Sequence, residues 1–145
     1  MKIGFTGTRS GMSDKQKKEV RRLLANILST DEVILIHGGC VGADTDFHNI
    51  AREFGDSFYI RVFPGHFKND PKNTKYKGNY EDADEIKESQ THFKRNRDIV
   101  DNCDLLIATP FHSNQIDFIE FKKGGTKYTV DYAIKINRPI EIIYK

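Results

Sequence analysis

Short apolar runs alternate along this chain with longer segments whose apolar residues recur three and four positions apart. Lys2 to Thr6 is an apolar run ending at Gly7, and Val33 to His37 is a β-branched run ending at Gly38-Gly39. Both predict buried parallel strands. Between them, Ser13 and Gln16 have capping-box spacing, and Val20, Leu23, Leu24, Ile27 and Leu28 predict a crossover helix. A second helix is predicted from about Ala43 to Phe54 by Phe47, Ile50, Ala51 and Phe54, with Gly55 as its stop. Tyr59 to Phe63 predicts a third strand.

Pro64-Gly65 then opens a polar segment, residues 64–88, with no sustained period. It is too long for an ordinary connection and is expected to be a lid, a binding loop or a mobile insertion. Helical character returns around Ser89 to Asn102, with Phe93, Ile99, Val100 and Cys103 assigned to the inner face. Leu105 to Ala108 predicts another strand, and Pro110 to Lys123 is a variable stretch. Gly124-Gly125-Thr126 leads into a helix expected to carry Val130, Ala133 and Ile134 inward. Asn137 suits a left-handed stop, Pro139 ends the helix, and Ile140 to Ile143 predicts the last strand. Strands alternating with helices imply an α/β fold, with a mainly parallel sheet, right-handed crossovers and helices on both faces.

The length of 145 residues allows one compact domain, 1–145, with no internal repeat. With 37% hydrophobic and 30% charged residues the chain can build one core, and its net charge of +2 argues against a dedicated duplex-DNA binder. The opening MKIGFTGTRSG lacks a signal-peptide apolar region, and no apolar stretch is long enough to span a bilayer. A cytoplasmic protein without membrane partners is expected. Cys40 and Cys103 form no C-x-x-C pair and are expected to be free thiols. None of the five histidines has a metal-ligand spacing, so neither metal nor resident cofactor is expected.

Parallel α/β sheets bind ligands beyond the carboxyl ends of their strands. Three glycine-marked turns fall there: Gly7-Thr8-Arg9-Ser10-Gly11, His37-Gly38-Gly39-Cys40-Val41-Gly42-Ala43-Asp44, and Gly124-Gly125-Thr126. Such turns bring backbone N–H groups close to an anion, and the following helix adds a partial positive charge. Phosphate or a phosphorylated sugar fits that chemistry. Neither Walker A nor G-x-G-x-x-G spacing is present, which demotes ATPase and conventional NAD-dehydrogenase readings. Arg95 and Arg97, beside Lys94, are placed to fork onto a phosphate or to form a solvated helix face. Asp44 either meets a ribose hydroxyl or base, or serves its own helix N-terminus electrostatically. In residues 64–88, His66, Phe67, Tyr76 and Tyr80 interleave with Lys68, Lys72, Lys75 and Lys77, a composition for stacking a base or for a solvated loop.

GFTGTRSGM, HGGCVGAD, RNRDIVDNCDLLIATP and GGTKYTVDYA together resemble the SLOG superfamily, the group of LOG phosphoribohydrolases, DprA proteins and YspA/YpsA-like small proteins, and most closely the last branch. The resemblance implies a Rossmann-like three-layer sandwich holding a nucleotide or nucleotide-derived ligand. Around the ligand it sets Thr8, Arg9, Gly38, Gly39, Gly42, Asp44, Arg95, Arg97, Gly124, Gly125, Thr126 and Thr129. It also implies a homo-oligomer. LOG enzymes use an arginine, matched best by Arg95 with Arg97 its rival, and a glutamate at the position of Thr129. Threonine supplies no carboxylate, so a sensor or sequestering domain is the first reading. An N-glycosidase of nucleoside 5′-monophosphates is the second, with Arg95 and Asp44 as catalytic candidates and Asp131 or Glu120 as further carboxylates. A DprA-like binder of single-stranded DNA is the third.

Overall fold

The computed structural model describes residues 1–28 and 32–145. Its elements, in chain order, are β1 (Lys2–Gly7), α1 (Asp14–Ile27), β2 (Ile34–His37), α2 (Ala43–Arg52), β3 (Tyr59–Val62), β4 (Gly65–His66), β5 (Glu85–Ile86), β6 (Gln90–Thr91), α3 (His92–Asp101), β7 (Leu105–Thr109), α4 (Gln115–Glu120), α5 (Gly125–Lys135) and β8 (Ile140–Ile142). The six strands of the main sheet run in the order β5-β3-β2-β1-β7-β8, and every neighbouring pair is parallel. The chain builds outward from β1 to β5, then returns to β1's other side with β7. The switch point therefore lies between β1 and β7, at the carboxyl ends where Gly7 pairs with Thr109.

Alternation along each strand divides the core into two layers. Ile3, Phe5, Leu35, Ile60 and Ile107 face one side, where Val20 and Leu24 of α1 and Phe47, Ile50 and Ala51 of α2 cover them. The Phe5 and Phe47 rings stack there, 4.2 Å apart. Ile36, Leu106 and Ala108 face the other side, against Ile99 and Val100 of α3 and Val130 and Ala133 of α5. The result is a Rossmann-like three-layer sandwich.

Local signals explain most of the boundaries. Ser13 and Gln16 form the expected reciprocal capping box, and Asn137 takes the left-handed conformation, φ 60°, ahead of Pro139. The same Gln16, almost fully buried, donates to the Pro110 carbonyl at 2.7 Å and the Ile143 carbonyl at 2.8 Å. It thus ties the start of α1 to the ends of β7 and β8. Gln16→Ala leaves two buried carbonyls unpaired and removes half the box, an expected loss of about 2–3 kcal/mol in urea unfolding; Lys15→Ala, on an exposed position of the same helix, is the control.

Two inward assignments differ from expectation. Phe93 is exposed, because the buried residues of α3 are Arg95, Ile99 and Val100, and two positions on a helix turn a side chain by about 200°. Ile134 is also exposed, since the buried side of α5 is centred on Thr129 and Ala133. The segment 64–88 is not a plain loop: it carries β4 and β5, and β5 adds an edge strand to the main sheet. Asp84 fixes that edge by accepting from the Ile60 amide at 2.8 Å, while Arg52 reaches both Asp82 and Asp84. The stretch 110–123 likewise contains a short helix, α4, with Asn114 capping it. Cys40 and Cys103 are free thiols. No helix among the described residues is long and apolar enough to cross a membrane.

Candidate ligand site at the switch point

A cavity of about 540 Å³ opens at the carboxyl ends of β1, β2 and β7, within the size range of small-molecule sites. Thr8, Arg9, Gly38, Asp44, Arg95, Gly124, Gly125 and Thr126 line it, so the three glycine turns do converge. Gly39, Gly42, Arg97 and Thr129 lie outside the lining. Gly42 instead lets the β1 turn and α2 pack closely. It has φ 85°, and a Cβ there would run into the Arg9 carbonyl. Ala43 donates its amide to the Thr8 carbonyl at 2.9 Å, fixing that approach.

Arg95 is 4% exposed and belongs to no solvated face. Its Nε donates to Asn96 Oδ1 at 2.8 Å; Nη1 donates to the Gly38 and Phe63 carbonyls; Nη2 donates to His92 Nδ1 at 3.1 Å and contacts Cys40 Sγ at 3.4 Å. A guanidinium has five N–H donors. All five are engaged, so Arg95 is not poised to fork onto a phosphate; it holds the Gly38 turn and the start of α3 together. Gly38 has to lack a side chain for this, because a Cβ would meet the guanidinium. Arg97, its rival, turns away and donates to the Tyr128 hydroxyl at 2.6 Å.

Arg9 is the arginine that faces the cavity from an exposed turn, with its Cζ 3.7 Å from the centre of the Tyr76 ring. A stacked guanidinium keeps its in-plane donors for a second partner. Tyr76 is brought there by the segment 64–88, which is fastened to the second glycine turn. The Val41 amide donates to the Tyr76 carbonyl at 2.9 Å, and the Gly78 amide to the Gly39 carbonyl at 2.7 Å. Phe67 and Tyr76 thus form a cavity wall, while Lys68, Lys72, Lys75 and Lys77 stay exposed. Of the aromatic half of the basic-aromatic pattern, only Phe67 and Tyr76 reach the cavity; His66 hydrogen-bonds Ser89, and Tyr80 packs beside Gly39 against the core.

Helix ends separate the cavity from the rest of the molecule. α1 and α4 are capped by Ser13 and Asn114, each with an acidic residue in its first turn, and α2 carries Asp44 and Asp46 in its first turn. α3 and α5 have neither a side-chain cap nor an acidic first turn. Both contribute their first residues to the cavity lining, and Lys123 and Lys127 flank the start of α5. Two uncompensated partial positive charges therefore face the same space.

Asp44 is the one carboxylate lining the cavity among the described residues. It accepts from the Cys40 amide at 3.0 Å, and burial raises its pKa against the opposing pull of Arg95. Burial and the nearby Asp44 also raise the Cys40 thiol. The resemblance placed Thr129 at the glutamate position. It is fully buried, and its hydroxyl donates to the Gly125 carbonyl at 2.7 Å, inside its own helix. Asp131 is paired with Lys127 on the surface, and Glu120 is outside the lining.

Sequence reasoning missed a relay behind the second turn, in which two buried histidines lead to an exposed carboxylate. The Gly39 amide donates to His37 Nδ1 at 2.9 Å, which leaves His37 Nε2 to donate to His48 Nδ1, also 2.9 Å; His48 Nε2 then donates to the carboxylate of Asp82. Burial above all, with Arg95 nearby, lowers His37 to about 3 and keeps it neutral. Residues 37, 48 and 82 have no shared sequence spacing, so no local signal could have joined them.

No family model and no curated protein sequence matches the chain. Its backbone does match solved structures over nearly its whole length. The chain has the fold of molybdenum cofactor carrier proteins. It overlays the molybdenum cofactor binding protein of the phototrophic bacterium Rippkaea orientalis with a TM-score of 0.70 at 19% identity, covering 99% of this chain and 76% of that one. The molybdenum cofactor carrier protein of Chlamydomonas reinhardtii overlays with a TM-score of 0.65 at 16% identity, covering 99% and 77%.

Proposed function

We propose that this chain binds a nucleotide-derived, phosphate-bearing small molecule at the switch point and acts as a sensor or sequestering domain. The observation that carries the reading is the contrast between helix ends: α3 and α5, the two helices left uncapped and uncompensated, both open on the cavity that Arg9 overlooks. An anion there receives backbone N–H groups, two helix dipoles and one guanidinium edge. Asp44 serves as acceptor for a sugar hydroxyl, and Phe67 and Tyr76 give a planar base a wall to lie on. Three of the four motifs similar to SLOG proteins carry these glycine turns, and the fourth, residues 95–110, runs through α3 and β7 to Pro110 at the cavity.

The fold neighbours, described as binding or carrying molybdenum cofactor, add that cofactor to the ligand class as a cargo. The aromatic wall and the anion-binding turns suit a planar, negatively charged molecule. Cys40, the one thiol on the wall, is held protonated by burial and offers no thiolate. The residues thus favour holding such a molecule by its organic part.

Cleavage is the second reading, and it rests on Asp44 alone. The test combines both readings: thermal melting with nucleoside mono- and diphosphates, cyclic nucleotides, ADP-ribose and molybdenum cofactor, each mixture then chromatographed for free base. A ligand at 100 times its dissociation constant adds about 2.7 kcal/mol. Stabilisation with intact ligand, weakened roughly ten-fold or more in Arg9→Ala, is the expected result. Time-dependent release of base replaces the sensor reading with the glycosidase one; no stabilisation by any member removes the proposal.

A further inference from the structure

The cavity has two aromatic ends. On one side Phe67, Tyr76 and His92 cluster, with Phe67–Tyr76 and Phe67–His92 ring centres 5.4 and 4.9 Å apart. On the other, Phe111, His112 and Phe121 cluster, with Phe111–His112 and His112–Phe121 centres 4.0 and 4.7 Å apart. All six line the same cavity. The first group is fastened to the turn after β2 and the second follows β7, so the turn after β1 separates them. The turns that anchor them are two strand spacings apart, about 10 Å at the level of the sheet.

Each cluster also holds a buried ring nitrogen without a hydrogen-bond partner, Nε2 of His92 and Nδ1 of His112. The His92 tautomer is fixed. Arg95 can only donate, so His92 Nδ1 accepts and Nε2 carries the proton as an unused donor. Burial, with the Arg95 and Arg9 charges, lowers His92 to about 4, so it stays in that neutral form. An unsatisfied buried polar group costs free energy, and because both nitrogens are shut off from solvent a ligand reaches them only as the rings around them shift. A polar edge beside an aromatic face is what recognises a flat heterocycle rather than a plain hydrocarbon ring.

Resting on the function proposed above, we infer that the physiological ligand carries two planar heterocycles joined through phosphate, the dinucleotide class. One ring packs at each aromatic cluster, and the linking phosphates lie at the β1 turn, between Arg9 and the start of α5. A mononucleotide fills one end only.

The experiment is calorimetric titration of the intact chain with AMP, ADP, GMP and GDP, and with diadenosine and diguanosine diphosphate. At least one dinucleotide is expected to bind ten-fold or more tightly than its nucleoside diphosphate, the gain of one further stacked ring. Tyr76→Leu and Phe121→Leu, which remove rings from opposite ends, are each expected to erase that advantage. Mononucleotides binding as tightly as dinucleotides overturns this inference and leaves nucleotide binding standing. No binding by any of the six overturns this inference, and the function proposed above falls with it only when cyclic nucleotides, ADP-ribose and molybdenum cofactor also leave the melting temperature unchanged. If a variant fails to fold, the wild-type affinity ratio decides alone.

Discussion

Arg95→Ala is expected to be among the most destabilising single substitutions in this protein. The side chain is 4% exposed, and its loss strands the Gly38 and Phe63 carbonyls, Asn96 Oδ1 and His92 Nδ1, while Asp44 loses the cation that opposes the cost of its burial. Several buried acceptors losing charged donors together amount to at least about 3 kcal/mol, or roughly 10 °C in melting temperature for a chain of this size. Arg95→Lys keeps the charge but offers three donors in another geometry, and is expected to recover less than half of the loss. Urea unfolding of the two variants checks this. A loss below about 1 kcal/mol for Arg95→Ala would show that the guanidinium does not organise the turn.

The second large effect is a loss of stability in mild acid. His37 is fully buried with a pKa near 3, whereas in the unfolded chain it titrates near its ordinary value of 6.5. Between those values the unfolded chain binds a proton that the folded one refuses. The contribution of His37 is therefore complete above pH 6.5 and is lost as pH falls toward 3, at about 1.4 kcal/mol per unit. Protonation would put a charge against Arg95 and disrupt the bond from Gly39, so the glycine turn should loosen first. Melting from pH 8 to pH 5 isolates this window from most carboxylates. His37→Gln is expected to melt lower than wild type at neutral pH but with a flatter slope. Equal slopes would assign the acid sensitivity elsewhere.

Both effects concern residues whose roles the sequence did not disclose. The alternation of strands and helices follows from short apolar runs separated by helical periods, and the glycine turns are legible because each directly follows a strand or opens a helix. Arg95 could be placed near the site, but whether its donors meet a ligand or the protein depends on Gly38 and Phe63, 57 and 32 positions away. The relay from His37 to Asp82 likewise exists only after α2 packs against the end of β2. β5 is two residues long and α4 six, below the length at which a period can be recognised. Phe93 misled because it is apolar yet sits at the cavity rim, packed on Tyr128 with ring centres 4.6 Å apart. The aromatic residues of the 110–123 stretch were the signal passed over: Phe111, His112, Phe118 and Phe121 crowd a segment otherwise rich in polar residues.

The central claim is that the three glycine turns bind one anionic ligand together. Amide chemical-shift mapping of isotope-labelled protein tests it most directly, using the nucleotide that stabilises the chain most. The account predicts saturable shifts that share one dissociation constant at Thr8 and Arg9, at Gly38, and at Gly125 and Thr126, with the exposed strand β5 unmoved. Shifts confined to the exposed lysines of residues 68–77, or turns that titrate independently of one another, would contradict it.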